Sequence, residues 1–139
     1  MIVVDASVAV QWVAEEDMSA ISETLLERDD LVAPELVVIE VANALRRKVF
    51  VGDMSLEHAK IGLRFVRDKV AIVDLSDAVL GRALELAQAI YHPVYDCIYL
   101  AVAELQGGKL VTYDQELIAG ARKHGLGSLL AALPLEAAP

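Results

Sequence analysis

Short apolar runs alternate with helical patterns along this chain, and the alternation limits the folds that it can adopt. Residues 2–4 are continuously apolar, as expected of a strand that is buried on both faces. Similar runs occur at residues 31–33, 71–75 and 109–112. Strands that alternate with helices indicate a parallel sheet covered by helices on both faces. The sequence therefore predicts an α/β fold with three α/β/α layers around a central, mainly parallel sheet of four to five strands.

Helical patterns fill the chain between these runs. One covers residues 8–13, and a second amphipathic segment spans residues 19–28. Longer helices are predicted at 35–51, 56–69, 77–90, 95–106 and from Asp114 to about 124. Their ends carry typical signals: Pro34 in a first turn, Ser55 and Ser76 as N-caps, and Gly52 and Gly107 after last turns.

The length and the cysteine content indicate one intracellular domain. A chain of 139 residues suffices for a single core. We expect the domain to span residues 1–132 and residues 133–139 to form a loosely ordered tail. Cys97 is the single cysteine, and Asp5 interrupts the first apolar run too early for a signal peptide. With no apolar stretch long enough to span a bilayer, the sequence predicts a cytoplasmic protein that does not associate with membranes.

The charge balance is strongly acidic. The chain has 12 Lys and Arg residues against 21 Asp and Glu residues, which gives a formal net charge of −9. This argues against a protein that binds nucleic acid through a basic face. The argument weakens if several of the carboxylates sit together on a cation.

Most short catalytic motifs are absent from the sequence. It contains no dinucleotide-binding fingerprint, no P-loop and no Gly-x-Ser-x-Gly motif. The histidines His58, His92 and His124 are scattered, without a helical pair or cysteines at zinc-site spacing. The sequence therefore argues against a histidine-based nuclease and against a zinc hydrolase.

Three aspartates occupy positions where a ligand could bind. Asp5 and Asp114 each follow an apolar run and precede a helix, and Asp96 lies at the start of the predicted helix 95–106. The carboxyl ends of parallel strands are where open α/β sheets bind ligands. Each aspartate could instead serve only as a helix N-cap, because Asp is among the preferred cap residues.

Glu40 lies inside the predicted helix 35–51 in an otherwise apolar run, where no cap is needed. Asn43 and Arg47 follow it on the same helix face. The three could form a narrow stripe that faces solvent. Alternatively, Glu40 points across the sheet edge towards the aspartates. Four carboxylates at such short distances repel one another, so the cluster is stable only if protons or cations lie among them. Hard oxygen ligands select magnesium or manganese over zinc.

Four segments surround these acids with characteristic neighbours. They read Val-Val-Asp-Ala-Ser-Val at 3–8, Pro-Glu-Leu at 34–36 followed by Glu-Val-Ala-Asn-Ala-Leu at 40–45, Tyr-Asp-Cys-Ile-Tyr-Leu-Ala at 95–101, and Leu-Val-Thr-Tyr-Asp at 110–114. In this order and spacing they resemble the motifs of PIN-domain ribonucleases. The closest likeness is to the VapC-type toxins of prokaryotic toxin–antitoxin pairs, and it covers nearly the whole chain.

The resemblance implies a PIN-like fold and a site made of Asp5, Glu40, Asp96 and Asp114. In this family the acidic quartet holds magnesium (Mg²⁺), with Mn²⁺ as a substitute, and activates water to cleave RNA phosphodiesters. Asp5 and Asp96 match the positions most regularly tied to the metal, and Ser7 matches a hydroxyl beside it. Tyr113 departs from the family pattern, which usually has a smaller residue before the last aspartate.

The resemblance also implies partners. A toxin of this type acts on RNA, is neutralised by a cognate antitoxin protein and is expected to form a homodimer. It would meet DNA only indirectly, through the antitoxin.

Basic and polar residues near the quartet are candidates for binding the substrate. Arg46, Arg47 and Lys48 are the densest basic cluster, and Arg47 is the member aligned with Glu40. Together with Ser7 and Asn43, Arg47 is a candidate for holding phosphates next to the cleaved bond. The cluster could instead be a solvated helix end that the helix dipole favours.

Two other functions use a similar framework. A receiver-type phosphorelay domain also places acids and magnesium at strand ends, but it usually has adjacent acids after the first strand and a lysine that ends the last. Here Ala6 follows Asp5, and Lys109 begins its strand. A PIN fold kept only to bind a partner, without catalysis, is the other alternative, against which the intact quartet argues.

Overall fold

The computed structural model describes residues 1–14, 19–133 and 135. Within them, four strands form one parallel sheet in the order β3-β2-β1-β4. The strands are β1 (Ile2–Val4), β2 (Leu31–Pro34), β3 (Ala71–Val73) and β4 (Lys109–Val111). Beyond β4, Leu130 makes an isolated parallel bridge to Leu110. The predicted α/β fold with a parallel sheet is confirmed.

Seven α-helices connect and flank these strands in the described part of the chain. They are α1 (Ala6–Ala9), α2 (Ala20–Leu25), α3 (Leu36–Phe50), α4 (Leu56–Lys69), α5 (Asp77–Ile90), α6 (Val94–Gln106) and α7 (Gln115–Lys123). The pattern at 8–13 is shorter as a helix than predicted, since a 3₁₀ turn at Val10–Trp12 follows α1. Ser55 and Ser76 cap α4 and α5 as predicted, each by accepting a hydrogen bond from a backbone N–H.

Pro34 was predicted in the first turn of a helix, and this is wrong. It is the last residue of β2 and pairs with Val73 of β3. Pairing between β1 and β2 ends at Val32, and the next donor towards β3 is the backbone N–H of Glu35. No bond of the ladder therefore needs an N–H from Pro34, so a proline is tolerated at this strand end.

The strand order determines where the helices pack. The connections from β1 to β2 and from β2 to β3 step in the same direction across the sheet. Right-handed crossovers therefore place α1 to α4 on one face. The connection from β3 to β4 crosses back over two strands and places α5 and α6, which pack on each other, on the opposite face. The order reverses between β1 and β4, so this is the point of the sheet edge where a ligand crevice is expected.

Helix α6 forms the centre of the core and also reaches the sheet edge. Residues 97–103 of α6 are all buried, and the helix contacts β1, β2 and β4. Gly107, in the left-handed conformation at φ 69°, ends it as predicted. Because α6 is fixed on the sheet along its length, the side chains of its first turns have defined positions relative to the ends of β1 and β4.

The C-terminal segment is described only in part. Of the predicted tail at 133–139, Leu133 and Leu135 are described, and the other five residues lie outside the described part of the chain. Among the described residues, no helix combines the length and the apolar character needed to cross a bilayer.

Candidate metal centre

Asp5 lies at the end of β1, where it is buried and its carboxylate accepts hydrogen bonds from three donors. Its Oδ1 accepts hydrogen bonds from Ser7 Oγ at 2.6 Å and from the backbone N–H of Val8 at 3.3 Å. Its Oδ2 accepts a hydrogen bond from the Thr112 hydroxyl. Asp5 is thus the N-cap of α1, as one interpretation of the sequence held. Capping occupies only part of the carboxylate, so it does not exclude a second role.

Burial raises the pKa of Asp5 above its ordinary value of 3.8. The hydrogen bonds from Ser7, Thr112 and Val8 act in the opposite direction, because they stabilise the charged form. The nearby charge of Asp114 raises the pKa further. The carboxylate of Asp5 therefore lies in a place where negative charge is unfavourable without a cation.

Asp114 is joined to Asp5 through one hydroxyl. Thr112, at the end of β4, donates to Asp5 and accepts a hydrogen bond from the backbone N–H of Asp114 at 3.0 Å. Asp114 caps α7, with Oδ1 accepting from the backbone N–H groups of Glu116 and Leu117 at 3.1 Å each. Its Oδ2 is directed elsewhere and lies 3.8 Å from the ring of His92.

Glu40 reaches the same edge from α3. It is half-buried, and its Oε1 accepts a hydrogen bond of 2.5 Å from the hydroxyl of Tyr99, a buried residue of α6. Burial raises the pKa of Glu40, and the charges of Asp96 and Asp5 raise it further, while the Tyr99 hydroxyl lowers it. Glu40 is therefore not part of a separate solvent-facing stripe, because it interacts with two of the aspartates.

Asp96 lies in the first turn of α6 but does not cap it. The N-cap is Pro93, so the interpretation of Asp96 as a simple cap is wrong. Helix α6 starts at Val94, one residue earlier than predicted, and this places Asp96 on the helix. Its Oδ2 lies 2.8 Å from Nε2 of His92. The charge of Asp96 also acts on Glu40, which connects it to the other acids.

His92 is the residue of this centre that sequence reasoning missed. One ligand atom each from His92, Asp96 and Asp114 lie within 4.8 Å of one another. The sequence has neither a histidine pair on one helix nor cysteine partners, and His92 lies before the first residue of α6. Its separation from Asp96 by four residues was a visible signal, since the start of a helix brings such residues close together.

The other three candidates lie in different places. The Ser7 hydroxyl belongs to the centre, since it donates to Asp5 and accepts a hydrogen bond from the backbone N–H of Tyr113 at 3.1 Å. Asn43 and Arg47 are exposed on α3, one and two turns beyond Glu40. Among the described residues, no hydrogen bond or ion pair joins either of them to the four carboxylates.

Tyr113, the large residue that precedes Asp114, is held in place by hydrogen bonds of its hydroxyl. Its hydroxyl forms hydrogen bonds with the hydroxyls of Ser19 and Ser22, at 3.0 Å for Ser22. Gln11 completes this polar group by accepting from the Ser22 hydroxyl at 2.9 Å. The tyrosine therefore fastens the start of α2 to the end of β4, next to the carboxylates.

The donor set of this centre fits a divalent cation. Ligand atoms of His92, Asp96 and Asp114 lie within 4.8 Å of one another. Asp5 and Glu40 do not belong to this group, but the charge of Asp114 acts on Asp5, and those of Asp96 and Asp5 act on Glu40. The hydrogen bonds from Ser7, Thr112 and Tyr99 hold Asp5 and Glu40 in place but supply no positive charge. Carboxylate oxygens are the ligands that magnesium and manganese prefer.

Comparisons with known proteins show what this chain is similar to. Residues 2–123 match the family model of the PIN domain. The chain is 34% identical over 119 residues to Ribonuclease VapC3 of Pyrobaculum aerophilum, an alignment that covers 84% of this chain and 91% of the relative. It is 33% identical over 120 residues to Ribonuclease VapC1 of Mycobacterium tuberculosis, covering 84% of this chain and 88% of the relative.

Solved structures show the same fold. A crystal structure of PAE2754 from Pyrobaculum aerophilum superposes with a TM-score of 0.69 at 28% identity, and covers 86% of this chain and 78% of its own. A toxin–antitoxin complex from Klebsiella pneumoniae superposes with a TM-score of 0.68 at 18% identity, and covers 86% of this chain and 92% of its own.

Replacing Glu40 by Gln tests whether burial and the neighbouring charges make the ionised form of Glu40 unfavourable. The pKa of Glu40 is raised in the folded protein, so ionisation destabilises the fold as the pH rises above the ordinary value of 4.5. Gln keeps an oxygen that can accept the Tyr99 hydrogen bond and removes the charge. We expect metal-free Glu40→Gln to be more stable than the wild type at pH 7 by about 1 kcal/mol, and equally stable near pH 4.

The measurement is urea unfolding in chelator at both pH values. Glu57→Gln, which removes a charge from an exposed site on α4, is the matched control and should leave the stability nearly unchanged. A stability of Glu40→Gln at pH 7 equal to or below that of the wild type would show that ionised Glu40 does not destabilise the fold.

Proposed function

The chain belongs to the PIN domain family, and from that premise we propose that it is a magnesium-dependent endoribonuclease, the toxin of a type II toxin–antitoxin pair. The observation that carries the proposal is the convergence of Asp5, Glu40, Asp96 and Asp114 where the strand order reverses. The names of its relatives, Ribonuclease VapC3 and Ribonuclease VapC1, supply the reaction class.

The four carboxylates would hold Mg²⁺, with Mn²⁺ as a substitute. When bound, magnesium supplies acidification of water and electrostatic stabilisation of the phosphate, the two requirements of phosphodiester hydrolysis. Without a cation, the clustered negative charge of Asp5 and its neighbours would repel the RNA backbone. A bound cation would offset part of this charge, so the net charge of −9 is compatible with an RNA substrate.

The surrounding residues orient the carboxylates for this task. Ser7, Thr112 and the backbone of Val8 fix both oxygens of Asp5, so this side chain need not reorganise when a cation binds. Tyr99 holds one oxygen of Glu40. Burial and the charges of Asp96 and Asp5 raise the pKa of Glu40, and burial also raises the pKa of Asp5, so a bound cation would stabilise the charged form of both carboxylates.

The substrate would extend from the carboxylates along α3. Asn43 and Arg47 lie beyond Glu40 on this helix and are exposed, so both are open to a phosphate group. Arg47 can donate two parallel hydrogen bonds to a phosphate. We assign these two residues to binding the RNA backbone and the four carboxylates to its cleavage.

An apolar groove between α3 and α4 is the surface that we assign to the antitoxin. It encloses about 390 Å³ and is lined by Ala42, Leu45, Arg46, Val49, Phe50, Leu56, Ala59, Lys60 and Leu63. Phe50 is 83% exposed and Leu56 59% exposed, which leaves a large apolar area open. Arg46 and Lys60 would favour acidic residues on the partner. We also expect the protein to form a homodimer and to meet DNA only through the antitoxin.

Asp96→Asn tests the nuclease assignment. Asn preserves the size of the side chain but removes an anionic metal ligand, so magnesium-dependent RNA cleavage should fall at least about 100-fold. The matched control is Asp77→Asn, which alters an exposed aspartate in the first turn of α5 and should retain full activity. Full activity of Asp96→Asn would remove this residue from the site. Absence of cleavage by the wild type on any RNA would instead favour a PIN fold that only binds a partner.

Phe50→Asp tests the groove. The charge should weaken the complex with the cognate antitoxin at least about 10-fold, because it must be buried among apolar groups, and should leave RNA cleavage unchanged. Leu84→Asp on α5, where the leucine is 61% exposed, is the matched control and should bind normally. The affinities can be measured by calorimetry with the co-encoded antitoxin, and an unchanged affinity of Phe50→Asp would show that the antitoxin binds elsewhere.

A further inference from the structure

His92 lies at the junction of α5 and α6 in a tightly defined position. Tyr91 before it adopts the left-handed conformation at φ 53°, which ends α5, and Pro93 after it is the N-cap of α6. The side chain of His92 is only 10% exposed. Proline has a fixed φ, which restricts the backbone on one side of His92, and the contact with Asp96 together with the low exposure defines the place of the ring.

The ring points one nitrogen at the acidic centre. His92 Nε2 lies 2.8 Å from Asp96 Oδ2 and 3.8 Å from Asp114 Oδ2, and one ligand atom from each of the three residues falls within 4.8 Å of the other two. Ligand atoms that share an ion at about 2.1 Å lie about 3 Å apart when adjacent and about 4 Å apart when opposite. The three atoms therefore approach the spacing of a common coordination sphere.

We propose that His92 Nε2 is a nitrogen ligand of the metal centre, so that the centre binds Mn²⁺ in preference to Mg²⁺. Imidazole nitrogen suits transition ions, whereas magnesium takes oxygen ligands almost exclusively. The inference rests on the proposed metal-dependent function and extends it, because the four carboxylates alone would not distinguish the two ions in this way. Magnesium remains usable through Asp5, Glu40, Asp96 and Asp114.

The experiment must distinguish metal binding by His92 from a second role of the same ring. His92 could act only as a positioning residue, whose N–H donates to Asp96 and orients that carboxylate. In that role the ring contributes nothing to the choice between ions. A substitution that keeps the hydrogen-bond donor but removes the imidazole separates the two roles.

His92→Gln is such a substitution, because the amide N–H of Gln can occupy about the place of imidazole Nε2. In the wild type loaded with Mn²⁺, pulsed electron paramagnetic resonance should show coupling to an imidazole nitrogen. In His92→Gln this coupling should disappear. Calorimetric titration of the metal-free proteins should show Mn²⁺ affinity reduced at least about 10-fold by the substitution and Mg²⁺ affinity reduced less than about 3-fold.

His124→Gln is the matched control, since His124 is exposed at the far end of α7. It should retain both the nitrogen coupling and the two affinities. A wild type that binds Mn²⁺ without imidazole coupling would overturn the proposal, as would His92→Gln with an unchanged ratio of the two affinities. Either result, combined with magnesium-dependent RNA cleavage by the wild type, leaves the proposed function intact. A wild type that binds neither ion would overturn both.

Discussion

Repulsion between carboxylates at one edge of the sheet is the constraint on which the site depends. Two carboxylates about 5 Å apart repel by about 3 kcal/mol at an effective dielectric constant of 20. Hydrogen bonds that Ser7, Thr112 and Tyr99 donate to Asp5 and Glu40 offset part of this repulsion. These donors orient the carboxylates without neutralising them, so the negative charge is preserved for a cation.

The architecture of the sheet concentrates these acids. Asp5 follows β1 and Asp114 closely follows β4, which are neighbours on the two sides of the point where the strand order reverses. Helix α3 brings Glu40 from one face of the sheet, and α6 brings Asp96 from the other. Helix α6 is the most buried of these elements, so the position of Asp96 and Tyr99 is tied to the stability of the core. The fold and the site therefore share the same contacts.

The sequence was sufficient for the features that depend on local patterns. The apolar runs predicted the four strands, and the serine caps of α4 and α5 are confirmed because a cap involves only neighbouring residues. Pro34 and Asp96 were misplaced by a few residues, since strand pairing at Val73 and the Pro93 cap decide where β2 ends and α6 begins. The approach of His92 to Asp114 joins two parts of the chain, so no local pattern could reveal it.

The central claim is that these carboxylates hold a divalent cation, and anomalous diffraction tests it most directly. Crystals of the protein equilibrated with Mn²⁺ would be measured on both sides of the manganese absorption edge. The account predicts an anomalous peak within coordination distance of Asp5, Asp96 or Asp114, beside the ends of β1 and β4. A fully equilibrated crystal with no peak at this edge of the sheet, or with manganese bound only elsewhere, would contradict it.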